Sequence, residues 1–262
     1  MEQTDFLLNR FARLNGGVVR TGSTRSALDR ALAEWCHPLE PSTISKALAA
    51  MVSRGDAIRL ANGVFAVCGP RGELNPVAIA PRLAEGAAYV SMWTVIDRAG
   101  LTYNTPRLVS VVTDRQVRTP VVEVPAMEAA FYFHTISPSR FFGFTEQPTD
   151  DGLSAPIART EKALLDILWF VDTPDAPPAF EQVGMWAAAA AAPSFNPRLL
   201  IDYVARMDSP SLVRRAGYLM DRSGIDGADE LWSLRGRTNA SIPLFGKNEA
   251  AGDLGRNRWG VV

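Results

Sequence analysis

Hydroxyl and amine side chains collect on one side of a helix that the sequence predicts to begin at Pro41, a residue suited to a first helical turn. Apolar residues at helical spacing predict its buried stripe: Ile44, Ala47, Leu48, Met51 and Val52. The remaining positions are short or cationic: Ser42, Thr43, Ser45, Lys46 and Ala49. Small side chains let a helix enter the major groove of DNA, where hydroxyl and ammonium groups can hydrogen-bond to base edges. This face is therefore a candidate DNA-reading surface.

A hairpin is predicted directly after this helix. Asn62-Gly63 lies between two short apolar segments and is the dipeptide that two-residue hairpin turns favour. Arg54 and Arg59 flank the hairpin and can reach phosphates, and Asn62 adds a polar side chain at its tip. A helix followed by such a hairpin is the second half of a winged helix-turn-helix.

The preceding segment agrees with that architecture. It predicts a helix over residues 4–14, a strand over 18–20 and a second helix capped by Ser23 or Thr24. The order helix, strand, helix, helix, strand, strand is that of a winged helix-turn-helix domain, which we expect over residues 1–68. The alternative is a small helix-hairpin domain that only packs against its neighbour.

Selectivity for an operator argues for more than one such domain on the DNA. The expected contacts with double-stranded DNA come from Arg25, Ser42, Thr43, Ser45, Lys46, Arg54, Arg59 and Asn62. One good bidentate base contact contributes about 1–3 kcal/mol of discrimination, and only Lys46 can hold a guanine edge firmly. Because operator selectivity is about 4–10 kcal/mol, we expect two copies to bind an inverted or direct repeat. The alternative is a monomer whose wing adds phosphate contacts, which position a protein but do not specify a sequence.

The distribution of charge limits the DNA footprint to a local patch. The net charge is −1, whereas a protein covered by nucleic acid would be basic. Residues 1–70 carry eight Arg/Lys against six Asp/Glu, a balance of +2, and residues 71–262 carry 19 against 22, a balance of −3. Arg20 joins the arginines already named as a candidate cation of the patch.

Membrane and export signals are not found in the sequence. No run of about twenty apolar residues occurs, and the opening MEQTDFLLNR has no basic region of the kind that begins a secretory signal. Cys36 and Cys68 are expected to be buried thiols rather than a disulfide. These observations favour a cytoplasmic protein.

Motifs for catalysis or cofactor binding are also not found. Two cysteines and two histidines make no plausible zinc site, and neither phosphate-binding glycine loops nor a nucleophile elbow occurs, so we expect no cofactor and no enzymatic activity. Glu161, Lys162 and Asp166 lie within one hexamer. On a helix, Lys162 and Asp166 are predicted to form a surface ion pair, and Glu161 suits the positive end of the helix dipole.

The rest of the chain predicts a second, larger domain. Residues 69–76, GPRGELNP, are expected to be a linker, and the domain extends over residues 77–262. Strands are predicted at 108–113, 121–124, 130–135, 140–144 and 153–157, and helices at 76–83, 92–99, 161–170, 180–192, 197–207, 212–223 and 228–234. This order indicates an α+β fold: a winged helix-turn-helix followed by a mixed domain with a mostly antiparallel sheet and then helices.

Four further residues of this domain have expected places. His134 alternates with phenylalanines and is expected to be a packing or edge residue of a strand. Arg214 and Arg215, on a late helix, are expected to be solvated, and Trp259 is expected to return the tail to the sheet.

Longer motifs run through this domain: YVSMWTVIDRAGL (89–101), FYFHTISPSRFFGF (131–144), IARTEKALLDILW (157–169), VRRAGYLMDRSG (213–224) and NRWGVV (257–262). Following a winged helix in this order, they resemble the AbiEi-like antitoxins and transcriptional regulators of bacterial (type IV) toxin–antitoxin systems. The hexamer EKALLD at 161–166 is the most specific of them. Met92 stands where a histidine is frequent in the family, so no role of that histidine is carried over.

The resemblance implies an N-terminal DNA-binding head and a C-terminal domain needed for antitoxin activity. It also implies repression of the protein's own operon through promoter repeats and a functional partner that is a nucleotidyltransferase-like toxin. It leaves open whether the antitoxin contacts that toxin.

Two other classes of function stay open. One is a nucleic-acid-processing enzyme whose winged helix delivers the substrate, and metal-dependent turnover of DNA, RNA or nucleotides would identify it. The other is a transcription regulator that responds to a small molecule and has no toxin. A neighbouring reading frame with nucleotidyltransferase motifs would favour the antitoxin.

Overall fold

A computed structural model describes residues 3–22, 26–69, 72–84, 86–106, 108–117, 119–236, 241–244 and 257–262. The N-terminal part, called the head here, has the order predicted for a winged helix-turn-helix. Its elements are α1 (Gln3–Leu14), β1 (Val18–Arg20), α2 (Ser26–Glu34), α3 (Pro41–Arg54), β2 (Ala57–Ala61) and β3 (Val64–Val67). The predicted caps Ser23 and Thr24 lie outside the described residues.

The helices of the head enclose a small core. Buried apolar side chains come from each helix: Leu7, Leu8, Phe11, Leu28, Leu32, Ile44, Leu48 and Met51. Gly55 ends α3 in the left-handed conformation, with its N–H directed at the last carbonyls of the helix. The strands pair antiparallel in the order β1-β3-β2, and Asn62-Gly63 forms the predicted turn between β2 and β3.

The C-terminal part, called the body here, is α+β, as predicted. Its elements are α4 (Pro76–Leu83), β4 (Ala88–Val90), α5 (Met92–Arg98), β5 (Leu108–Thr113), β6 (Val121–Val124), β7 (Ala129–Thr135), β8 (Phe144–Pro148), β9 (Ser154–Ala158), α6 (Thr160–Trp169), α7 (Ala179–Ala191), α8 (Pro197–Met207), α9 (Pro210–Ser223) and α10 (Ala228–Leu231). Short 3-10 turns follow β6, β7 and α10.

The strands of the body form a mixed sheet in the order β6-β7-β5-β4-β9-β8. The pairs β5/β7 and β4/β9 are parallel, and the others are antiparallel. The strand predicted at 140–144 is wrong, because a 3-10 turn over Pro138–Arg140 precedes β8, which begins at Phe144. The short buried strand β4 was not predicted.

The helices α5 to α10 pack with one face of this sheet into the main core of the body, where Tyr89, Phe142 and Trp186 are among the large buried side chains. Within the ranges that the structure describes, no helix is long and apolar enough to cross a membrane.

Head and body share a core. Val18, Val64 and Ala66 of the head sheet pack in one cluster with Ile79 of α4 and Phe131 of β7. The 69–76 segment therefore connects two parts that are in apolar contact.

Two residues at this contact have defined roles. Gly16 has φ +59°, and a Cβ there would lie 2.8 Å from the carbonyl oxygen of Ala78, so only glycine fits this approach of α4. Arg20 donates to the carbonyls of Arg82 and Leu83 at 2.8 and 2.9 Å. Arg20 is therefore committed to the end of α4, and its expected place in a DNA-binding patch is wrong.

The C-terminal tail packs on a helix and not on the sheet, which corrects the expectation for Trp259. Its indole lies against Gly217 of α9 and donates to Asp221 at 2.7 Å. Arg214, buried in α9, donates to the carbonyl of Trp259 at 2.5 Å, and Arg215 donates to the carbonyl of Pro243 at 2.9 Å. Arg214 is therefore buried, contrary to expectation, whereas Arg215 is partly exposed and has its guanidinium bound to backbone carbonyls.

The cysteines are not buried, contrary to prediction. Cys36 is exposed after the last turn of α2, and Cys68 is partly exposed at the end of β3. Partial burial, with a contribution from the charge of Asp56, raises the pKa of the Cys68 thiol, which makes it a poor nucleophile.

Candidate nucleic-acid interface

The outer face of α3 is open to solvent. Ser42, Thr43, Ser45 and Lys46 are all exposed, and the body does not cover them. The buried stripe is narrower than predicted: Ile44, Leu48 and Met51 are buried, whereas Ala47 is half-buried and Val52 is 37% exposed. The side chains predicted to read bases therefore share one accessible helix face.

The hydroxyl groups on this face differ in their freedom to bind a ligand. The Ser45 hydroxyl donates to the carbonyl of Pro41 at 2.9 Å, and that of Ser53, two turns further along, donates to Ala49 at 2.8 Å. Both oxygens can still accept a hydrogen bond from a base amino group. Lys46 keeps three donors and is the most adaptable group of the face.

The β2–β3 hairpin presents a second pair of predicted residues together. Arg59 Nη2 donates to Asn62 Oδ1 at 2.9 Å, and both side chains are exposed. This bond fixes the amide orientation, so the Asn62 NH₂ group and the remaining guanidinium donors face outward as hydrogen-bond donors. A donor-rich hairpin tip suits phosphate oxygens.

Arg54 differs from the other candidates because it is already bound. Its Nη2 donates to Asp5 Oδ2 of α1 and its Nε donates to Asp56 Oδ2, both at 2.8 Å. The hydrogen bond that Arg54 donates to Asp56 is the largest cause that raises the pKa of Arg54. The remaining candidate, Arg25, lies outside the described residues.

An open groove of about 1470 Å³ runs between α1 and α3 and ends at the base of the hairpin. It is named the α1–α3 groove here, and it is lined by cations and small or apolar side chains, including Arg10, Arg13, Lys46, Arg54, Phe6, Leu14, Ala47 and Ala50. Thr43 and Lys46 belong both to this groove and to the outer face of α3.

Comparison with known proteins identifies no relative of this chain. No family model and no curated protein matches the chain. Its function is therefore inferred from the geometry of the site and from the sequence motifs.

The charged residues of the EKALLD hexamer are buried, which corrects the predicted surface pair. Lys162 and Asp166 are in direct contact, and neither side chain is exposed to solvent. Asp166 accepts hydrogen bonds from Ser91 Oγ at 2.7 Å and from the Tyr89 hydroxyl at 3.1 Å, while Lys162 Nζ donates to the Tyr89 hydroxyl at 3.0 Å. Ser91 directly precedes α5, and its side chain binds Asp166 and does not cap that helix.

The protonation of this cluster follows from its burial. Burial lowers the pKa of Lys162, and the attraction of Asp166 does not fully offset that effect. Burial and the neighbouring carboxylate raise the pKa of Tyr89 well above its usual value. Glu161 is also buried and accepts the backbone N–H of Asn196, at the start of α8, at 2.7 Å. The hexamer therefore joins α6 to β4, to Ser91 before α5 and to the start of α8, within the buried core of the body.

A second buried polar group surrounds Asp175. Its Oδ2 accepts from Ser110 Oγ at 2.7 Å and is 2.8 Å from His134 Nε2, while Oδ1 accepts from Thr173 Oγ1 at 3.0 Å. Burial raises the pKa of Asp175, but these partners outweigh burial and lower the pKa below its ordinary value. His134 is a buried residue of β7, in agreement with its predicted packing role.

This arrangement does not form a nucleophilic triad. Nucleophilic catalysis by serine needs the imidazole between the hydroxyl and the carboxylate. Here Ser110 and His134 both contact the same carboxylate oxygen of Asp175, and the imidazole does not bridge them. In the described part of the chain, no three His, Cys, Asp or Glu residues converge to hold a metal ion.

Sequence reasoning missed the contribution of α1 to the candidate interface. Arg10 and Arg13 line the α1–α3 groove opposite α3 and were not selected. Their spacing with Phe6 places all three on the outer side of α1, away from the buried Leu7 and Phe11. That pattern was the available signal.

Proposed function

We propose that this protein is a DNA-binding transcriptional repressor that autoregulates a toxin–antitoxin operon and acts as the antitoxin to a nucleotidyltransferase-like toxin. The observation that carries the DNA-binding part is the uncovered face of α3. Ser42, Thr43, Ser45 and Lys46 stand together in solvent beside a hairpin whose tip presents Arg59 and Asn62. These groups can hydrogen-bond to bases and phosphates without rearrangement of the fold.

The antitoxin part of the proposal rests on the resemblance of five motifs to AbiEi-like proteins. The structure adds a physical role for the most specific motif, because the charged side chains of EKALLD hold the centre of the body together. A motif whose side chains stabilise the core supports a fold shared with AbiEi-like proteins. The antitoxin function does not follow from the fold alone.

DNA binding is tested by footprinting the full-length chain on the intergenic region upstream of its gene. We expect protection of two half-sites and a stoichiometry of two chains per operator. Protection of a single half-site with one chain would contradict the pairing of heads. No difference between this region and random duplex would contradict the repressor.

Antitoxin activity is tested separately, by co-expression with the neighbouring gene. We expect growth rescue by the wild-type chain and by a Lys46→Ala variant, because Lys46 is exposed on the head and its replacement leaves the buried core of the body unchanged. Rescue by neither protein would contradict the antitoxin. Purified protein that turns over DNA, RNA or nucleotides with a divalent metal would instead favour the enzyme.

A further inference from the structure

The two carboxylates of the α1–α3 groove bind the same guanidinium. Arg54 uses Nη2 for Asp5 and Nε for Asp56, so two of its three nitrogens already have anionic partners. Asp5 is almost fully buried, whereas the Asp56 side chain is 53% exposed. A guanidinium held in this way is poorly placed to contact a phosphate, but it reduces the negative charge of two carboxylates that would repel one.

The other cations of the groove, Arg10, Arg13 and Lys46, can still bind an anionic ligand. Among the described residues, no ion pair or side-chain hydrogen bond reaches Arg13 or Lys46, which lie on opposite walls. Arg10 is stacked on the ring of Trp35, 4.2 Å from its centroid, and is still exposed. Arg54 offsets one of the two negative charges of Asp5 and Asp56, so the remaining three cations, Arg10, Arg13 and Lys46, give the groove a net positive charge.

The positive charge of the α1–α3 groove is suited to the phosphodiester backbone of DNA. A helix in the major groove has a phosphodiester strand on each side. The hairpin residues Arg59 and Asn62 do not line the α1–α3 groove, so they serve a different side of α3. The outer wall of the groove is α1, and Arg13 stands on it in the last helical turn.

We propose that one phosphate strand of the bound duplex runs along the α1–α3 groove with Arg13 as its contact, and that Arg54 pairs with Asp5 and Asp56, offsetting one of their two negative charges, and does not itself bind DNA. This inference rests on the proposed DNA binding. It makes α1 part of the interface and gives Arg54 a positioning role in place of the predicted phosphate contact.

The first test is the salt dependence of DNA binding by the Arg13→Ala variant. One lost phosphate contact lowers the slope of log K against log salt by about 0.9, which corresponds to about eightfold weaker binding at 0.1 M salt and about fourfold at 0.2 M. We expect the same loss on operator and random duplex. The matched control is Arg198→Ala, an exposed arginine of α8, which should leave both affinity and slope unchanged.

The outcomes of this test are distinguishable from a failure of the proposed function. If wild-type protein binds the operator and Arg13→Ala binds equally well at both salt concentrations, the groove does not carry DNA. If wild-type protein does not bind, the repressor proposal itself fails. Intact DNA binding with loss of toxin neutralisation would assign the groove to a protein partner and overturn the inference.

The second test is a double-mutant cycle on Arg54→Ala and Asp56→Asn. If Arg54 masks the carboxylate, Asp56→Asn changes the Kd of the wild-type background by less than about twofold. In the Arg54→Ala background, where the Asp56 carboxylate has lost this partner, the same change should tighten DNA binding by more than about twofold. If Arg54 instead contacts a phosphate directly, Asp56→Asn should tighten DNA binding only in the wild-type background. Only there does the change release an Arg54 side chain from its pair with Asp56. Equal effects in both backgrounds also overturn the inference.

Discussion

Breaking the buried pair of Lys162 and Asp166 should cost far more than removing both charges together. Asp166→Asn keeps the volume and the acceptor oxygen for Ser91 and Tyr89, but it leaves the Lys162 ammonium in the core with no counter-charge. Removal of one partner of a buried ion pair costs about 3–5 kcal/mol. We expect a loss near the upper end of that range, because Lys162 retains only the Tyr89 hydroxyl as a hydrogen-bond partner.

The converse variant is expected to lose less. In Lys162→Met the buried carboxylate of Asp166 keeps two hydroxyl donors, from Ser91 and Tyr89, so the loss should lie near 3 kcal/mol. In the double variant Lys162→Met/Asp166→Asn no charge is left, and the amide oxygen still accepts from both hydroxyls. We expect the double variant to be more stable than either single variant, with a coupling energy of about 5 kcal/mol or more in magnitude, since the single losses of about 5 and about 3 kcal/mol would otherwise add.

Urea unfolding followed by tryptophan fluorescence measures these differences. The midpoint should fall in both single variants and partly recover in the double variant, with an unchanged slope. Because total stability is about 5–15 kcal/mol, Asp166→Asn alone can be largely unfolded, and recovery of folded protein in the double variant is then the readout. Additive losses, or a Lys162→Met variant as stable as the wild type, would refute the reasoning from burial.

Three further outcomes follow from single side chains. Lys46→Ala should weaken operator binding more than random-duplex binding, whereas Arg59→Ala should weaken both alike and lower the slope of log K against log salt by about one unit. A salt titration with the reverse ranking would contradict the assignment of base contacts to α3 and phosphate contacts to the hairpin. The carboxyl of Asp175 has a lowered pKa in the folded state, so its stabilising effect is present above the ordinary carboxyl pKa and is lost as pH falls through the folded value. Asp175→Asn should therefore flatten the acid side of a curve of stability against pH. An unchanged curve would contradict this. Gly217→Ala should cost about 1–3 kcal/mol of stability, because a Cβ would overlap the indole of Trp259. Gly184→Ala, in open space on α7, should be neutral or slightly stabilising. Equal urea-unfolding midpoints for the two variants would count against the tail contact.

Local chemistry made much of this fold predictable. Asn75 caps α4 and accepts the N–H groups of Val77 and Ala78, Gly224 ends α9 in the left-handed conformation, and Asn62-Gly63 forms a turn. Each of these signals acts within a few residues, so the sequence alone reveals it. The exposed face of α3 was predictable for the same reason, since helical spacing separates its apolar and polar residues.

The failures arose where distant residues decide the outcome. Lys162 and Asp166 have the spacing of an ordinary surface pair, and only Tyr89, 73 residues from Lys162, shows that they are buried. Arg54 was selected because of its place beside the hairpin, but its partner Asp5 lies 49 residues away on α1. No periodicity within either segment contains that information.

The common core of Val18, Val64 and Ala66 with α4 and the large sheet affects how the two proposed activities, repression and toxin neutralisation, can be tested separately. A fragment that stops at residue 68 would leave these side chains in water and invite aggregation, and a fragment that begins at residue 69 would uncover the other half of the same patch. Genetic dissection of repression from neutralisation is therefore better done with surface point variants than with truncations.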